Sequence, residues 1–217
     1  AFNVAVGASA GQLVTTGTHN TLIGGLAGDA ITTGGYNTAT GWNALGTATT
    51  PSSNSAFGNS ALKLTTTGSD NTAVGAGALF ENTTASNNTA VGKNALNANT
   101  TGAQNTAMGA GALDNNTTAD NNTAVGYAAM DANTTGSENV AVGRLALQTN
   151  TTASNNTALG NAALLVNTTG ASNTAVGSAA LIANTTGAEN VAIGSGAGAL
   201  VTTGIRNTAI GRLALQT

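Results

Sequence analysis

Asparagine recurs at positions 3, 20, 37, 54, 71, 88, 105, 122, 139, 156, 173, 190 and 207, a step of 17 residues every time. No insertion or deletion interrupts the thirteen units. An unbroken period of this kind is what a solenoid needs, because each coil rests on its neighbour and one extra residue would put every later side chain out of register. Counting from that Asn as phase 1, the unit reads N-T-A-V-G-x-x-A-L-x-x-N-T-T-G-x-x. Asn at phase 1, Gly at phase 5, Ala at phase 8 and the Thr pair at phases 13 and 14 never vary where the unit is complete.

The unit is too short for a helical pair, which needs more than about 30 residues, and Thr, Asn, Gly and Val are poor helix formers. Short strands remain. Phases 1 to 4, Asn71 to Val74 in one copy, are expected to form a strand stopped by the invariant Gly, which tolerates the positive φ of a corner. Phases 7 to 10 predict a second short strand, and the Asn-Thr-Thr-Gly run a further turn or a third strand. The expected fold is all-β: a single-domain, rod-shaped β-solenoid over residues 1–217, its thirteen coils spanning roughly 60 Å at about 4.8 Å apiece.

Charge placement agrees with this phasing. Asp29, Lys63, Asp114 and Asp131 fall at phase 10, Lys93, Arg144 and Arg212 at phase 6, Glu81 at phase 11, Asp120 at phase 16, and Asp70, Glu138, Glu189 and Arg206 at phase 17. Phases 1 to 5, 8, 9 and 12 to 15 hold no charge, which marks them as walls and the others as solvent-facing corners. With aromatics at 3% and charged residues at 6%, no large core of Leu and Phe can form, so burial must come from many small contacts.

Composition also narrows function. A net charge of −3 with five scattered basic residues offers no patch for nucleic acid. No apolar run approaches the ~20 residues of a membrane-inserted helix. The absence of Cys removes disulfides and thiolate metal sites. The chain starts at Ala1 rather than Met, which suggests a processed product or a fragment.

Asn190-Val-Ala-Ile-Gly194 and Asn139-Val-Ala-Val-Gly143 resemble the strand of the YadA-like head repeat in trimeric autotransporter adhesins, and the Asn-Thr-Ala-Val-Gly units look like repeats of phage tail fibres and other surface fibres. The likeness covers about five residues of each coil, and this 17-residue coil is longer than the adhesin repeat. It implies a surface fibre or adhesin at a cell or virion surface, with a trimer as the expected oligomer, and it identifies no ligand.

Several columns are candidates for more than scaffolding. The phase-1 residues Asn71, Asn88, Asn105, Asn122, Asn139, Asn156 and Asn173 are expected to form an amide ladder. At phase 12, Asn82, Asn99, Asn116, Asn133, Asn150, Asn167 and Asn184 each begin Asn-Thr-Thr, a formal glycosylation sequon. A second inward ladder is the competing and favoured reading, since Val14, Ile31 and Val201 replace this Asn elsewhere. The Thr columns at phases 13 and 14 raise ice binding, although adjacent residues point to opposite sides and one column is expected inward.

Enzyme motifs are weak throughout. His19 stands alone, Gly194-Ser-Gly196 lacks the strand and helix of a dinucleotide loop, and Gly24-Gly-Leu-Ala-Gly-Asp29 has the wrong spacing for a calcium-binding β-roll. No paired carboxylates are expected at one phase of adjacent coils. Tyr36 and Trp42 have the chemistry to stack on a sugar but read more simply as loop residues of an irregular third coil containing Pro51.

The expectation is therefore a non-catalytic extracellular structural fibre or filament with no cofactor or metal, partnered by copies of itself. An adhesin or tail-fibre shaft binding glycans, and an ice-binding protein, are the alternatives. One member of each Ala-Val and Ala-Leu pair should leave an apolar stripe outside, and end coils close to consensus should let copies join end to end.

Overall fold

A computed structural model of the chain describes residues 2–216, which fall into two compact units, Ala1–Asn105 and Thr106–Thr217. Both are built from the same coil, and the described residues contain no helix. The first unit carries β1 (Val4–Val6), β2 (Thr21–Ile23), β3 (Thr38–Thr40), β4 (Ser55–Phe57), β5 (Thr72–Val74) and β6 (Thr89–Val91). The second carries β7 (Thr106–Met108), β8 (Thr123–Val125), β9 (Val140–Val142), β10 (Thr157–Leu159), β11 (Thr174–Val176), β12 (Val191–Ile193) and β13 (Thr208–Ile210).

Within each unit every strand pairs in parallel with the next, residue i opposite residue i+17, as in Thr72 with Thr89 and Thr157 with Thr174. Each unit is thus a β-solenoid, one coil per repeat. The strand occupies phases 2 to 4 alone. It stops at the phase-5 Gly, whose φ is +135° at Gly75 and whose carbonyl-facing side has no room: a Cβ there would lie 2.5 Å from the Gly92 oxygen of the next coil.

The second strand expected at phases 7 to 10 does not form. Phases 6 to 11 are a run of turns with left-handed residues at phases 7 and 9, for example Gly77 at φ 68° and Leu79 at φ 51°. A pleated strand would send adjacent side chains to opposite sides and expose either the Ala or the Leu. The left-handed residue at phase 9 breaks that alternation, so Ala78 and Leu79 are both fully buried. Holding a non-Gly residue there costs roughly 1–2 kcal/mol. Burying the Leu side chain, worth about 1.5–3 kcal/mol, offsets it.

The turns still knit the coils together. Gly77 N–H donates to Asn59 O (3.0 Å) in the preceding coil, whereas Leu79 N–H and Glu81 N–H donate to Ala95 O (3.0 Å) and Asn97 O (2.9 Å) in the next. Within the coil, Ala78 N–H reaches Gly75 O at 3.3 Å and Asn82 N–H reaches Leu79 O at 3.3 Å, closing two successive turns. At the third side Thr83 N–H donates to Thr100 O at 3.0 Å, so phases 13 and 14 bend rather than form a strand.

The core of a coil is small: Ala at phases 3 and 8, Leu at phase 9, Asn at phases 1 and 12, and Gly or Ala at phase 15. Its volume is conserved by exchange. Wherever phase 9 is Gly (Gly11, Gly28, Gly198), phase 12 is a β-branched aliphatic residue (Val14, Ile31, Val201) instead of Asn. A Cβ on Gly28 would lie 2.7 Å from Leu22 Cδ2 and 2.9 Å from Ile31 Cδ1, so those side chains occupy the space that the phase-9 Leu fills elsewhere.

Candidate functional site

Two buried amide ladders line the interior. In the phase-1 ladder Asn54 Oδ1 accepts from the backbone N–H of Asn71 (3.0 Å) and from its Nδ2 (3.2 Å), while Asn71 Nδ2 also donates to Ala85 O (2.9 Å). Asn88 and Asn105 continue the pattern, Asn105 N–H reaching Asn88 Oδ1 at 2.9 Å. In the second unit Asn122, Asn139, Asn156 and Asn173 repeat it, with backbone N–H to Oδ1 distances of 2.9–3.0 Å. Each rung satisfies a backbone donor that no strand partner reaches.

The phase-12 residues form a second ladder. Asn99 Nδ2 donates to Asn82 Oδ1 (3.1 Å), and Asn133, Asn150, Asn167 and Asn184 donate likewise to Asn116, Asn133, Asn150 and Asn167 at 2.8–3.1 Å. The ladders converge on shared carbonyl oxygens. Ala153 O accepts Asn139 Nδ2 and Asn150 Nδ2, both at 2.9 Å, and Gly187 O accepts Asn173 and Asn184 in the same way. Both amide protons of Asn150 are used and the residue is buried, so the sequon column offers no nitrogen to a sugar once the coil has closed.

The outer face of the strand is different in kind. Phase 3 points inward, while phases 2 and 4 point outward as a Thr-rich column and an apolar column. Val74 is 38% exposed, Phe57 42%, Met108 43% and Ile193 41%. In the second unit phase 4 is apolar in all seven coils: Met108, Val125, Val142, Leu159, Val176, Ile193 and Ile210. The expected Ala-Leu contribution to such a stripe is absent, because Leu147 is buried together with Ala146 while only Val142 of the other pair faces out.

Neither Thr column at phases 13 and 14 turns inward, contrary to expectation: Thr151 is half-buried and Thr152 exposed. The phase-13 hydroxyls are already engaged, Thr151 Oγ1 donating to Thr168 O (3.2 Å) and Thr168 Oγ1 to Thr185 O (3.1 Å). The bend that lets one carbonyl accept from phases 13 and 14 together keeps both side chains outside the coil.

Corner residues are brought into columns. Phe2, His19 and Tyr36 stack at phase 17, with ring centroids 5.4 and 4.8 Å apart and the His19 and Tyr36 rings parallel to within 1°. Trp42 is not part of that stack; its Cδ1 would lie 3.5 Å from a Cβ built on Gly25 in the coil before. Arg206 and Glu189 form an exposed ion pair at 2.8 Å, of little energetic weight. Asp29 has no acidic companion, and among the described residues no cluster of three or more metal-ligating side chains occurs.

One pairing corrects the sequence reading. Asp114 and Asp131 share phase 10 in adjacent coils, so the coil repeat does set two carboxylates side by side. Burial, and for Asp114 also the charge of Asp131, pushes both carboxyls above their ordinary value of 3.8. Asn115 Nδ2 donates to Asp131 O (3.0 Å) and Oδ1 (3.4 Å). Raised carboxyls hold their protons to higher pH in the folded chain than in the unfolded one, so their contribution favours folding below 3.8 and is lost as pH rises through the raised values. Asp131→Asn is therefore expected to raise the melting temperature near pH 7 and to leave it unchanged near pH 3; an equal shift at both would show that the charge is not the cause.

Comparison with family models, with curated proteins and with solved structures returned no match for this chain.

Proposed function

We propose that this chain is an extracellular structural fibre module that assembles laterally with copies of itself. The observation that carries the reading is the outer strand face of the second unit, where seven coils present apolar side chains at one phase beside a Thr-rich column, with no charge at either phase. Side chains two residues apart on a strand stand about 7 Å apart and successive coils about 4.8 Å, so a second copy carries the same lattice and can mesh with it coil for coil. A contiguous apolar stripe of this kind marks an interface. The interior supports a mechanical role, because two amide ladders and backbone hydrogen bonds on every side tie each coil to the next.

The ice-binding reading has less support, since the phase-13 hydroxyls are bonded to the neighbouring coil. Sedimentation at micromolar concentration is expected to show oligomers, with a trimer favoured by the adhesin resemblance. Val142→Lys with Val176→Lys, both on the outer face, is expected to yield monomer with an unchanged melting temperature. Wild-type chain that sediments only as monomer would sink the proposal.

A further inference from the structure

In the first unit one coil departs from the repeat at three positions that face each other. Phase 7 is Gly77 between Ser60 and Asn94, phase 10 is Phe80, the sole aromatic residue at that phase, and phase 11 is Glu81, the sole carboxylate at that phase. Phases 6 and 7 form one wall and phases 10 and 11 the other, because the intervening Ala78 and Leu79 turn into the core. The missing side chain at Gly77 opens the gap between the walls. The result is an open groove of about 380 Å³.

The chemistry of its lining is mixed in a particular way. Phe80 supplies a half-buried ring, held on its coil by Lys63, whose Nζ lies 5.2 Å from the ring centroid. Ser60 Oγ donates to Asn59 Oδ1 at 2.9 Å, which holds that amide and leaves its Nδ2 as a donor. Asn97 Nδ2 donates to Gly77 O at 3.0 Å, which leaves its Oδ1 as an acceptor. Glu81 is exposed and lines the groove with two further acceptor oxygens. An apolar ring beside fixed amide donors and acceptors suits a ligand with one C–H face and a rim of hydroxyls, each of which both donates and accepts. Glu81, the single carboxylate of the lining, argues against an anionic ligand.

We infer that this groove binds a pyranose unit of a neutral glycan, seated on Phe80 with its hydroxyls on Asn59, Asn97 and Glu81. The inference stands apart from self-association, which uses the opposite kind of surface on the strand face. The test is saturation-transfer NMR and titration of the full chain with the methyl glycosides of glucose, galactose, mannose and N-acetylglucosamine. At least one is expected to bind saturably, in the millimolar range, with its ring C–H protons receiving the most saturation. Phe80→Ala and Gly77→Ser are each expected to weaken it at least about tenfold.

Gly77→Ser keeps the ring and adds a side chain that neighbouring Ser60 already carries at this phase with φ 57°. Its Cβ would meet Asn94 Oδ1 at 2.7 Å and Asn97 Nδ2 at 3.3 Å, so it intrudes among the groove's own lining amides. If Phe80→Ala fails to fold, Gly77→Ser decides. Absence of binding by all four glycosides at about 50 mM, or binding by Gly77→Ser equal to wild type, overturns the inference.

Discussion

Gly126→Ala is expected to unfold the second unit locally or altogether at temperatures where the wild-type chain is intact. Gly126 holds φ at +137°, and a Cβ built on it would sit 2.5 Å from the oxygen and 2.6 Å from the carbon of the Gly143 carbonyl. Nothing at that contact can rotate away, since both atoms belong to the backbone of the next coil. The positive-φ half of the dihedral map costs an L-residue about 1–3 kcal/mol by itself. Separating the coils would then break the Gly143 N–H bond to Val125 O (2.8 Å) and its equivalents along that seam. The total should exceed about 4 kcal/mol, the range reserved for severe packing and strain defects. Gly111→Ala is the control: its φ of +66° is one that Ala128 and Ala162 adopt at the same phase, and its Cβ would meet nothing within 4 Å. A loss below about 1 kcal/mol is expected there. Comparable melting temperatures for the two variants would show that the approach of neighbouring carbonyls does not fix the phase-5 Gly.

Asn139→Ala should be strongly destabilising for a single side-chain truncation. Its Oδ1 accepts the Asn156 backbone N–H at 2.9 Å, and its Nδ2 donates to Asn122 Oδ1 (3.1 Å) and Ala153 O (2.9 Å). Alanine leaves the Asn156 N–H buried without an acceptor and halves the bonds to Ala153 O. Each stranded buried group costs about 1–3 kcal/mol, so a loss of roughly 2–5 kcal/mol is expected, including the void left by the amide. Arg144→Ala, at an exposed corner of the same coil, should stay within about 0.5 kcal/mol. Denaturant melts of both variants at matched pH measure the difference, and equal midpoints would remove the ladder from the account of stability.

Much of this was legible in the chain itself. The invariant Asn column and its burial follow from period and composition, as does the exclusion of charge from the walls, because a residue repeated at each coil must meet its own copy. The acid pair Asp114 and Asp131 was equally legible, since both stand at phase 10, and only a position-by-position reading of the charged corners finds it. The Phe80 groove was not. Gly77, Phe80 and Glu81 look like ordinary corner variation until the fold turns Ala78 and Leu79 inward and leaves the flanking phases as opposing walls.

What the sequence determined alone is the lattice: thirteen 17-residue coils with in-register strands and no charge in the interior. These depend on chain periodicity and on the cost of burying charge, both local to the repeat. The tertiary structure decided how each coil closes. Leu at phase 9 lies in a conformation that its propensity disfavours, and only the space between stacked coils makes that choice favourable by burying it. The pairing of Gly28 with Ile31, and the meeting of Asn139 and Asn150 on one Ala153 carbonyl, have the same origin: side chains from different phases share one narrow interior, and its volume and unpaired backbone groups exist only once the coil has shut.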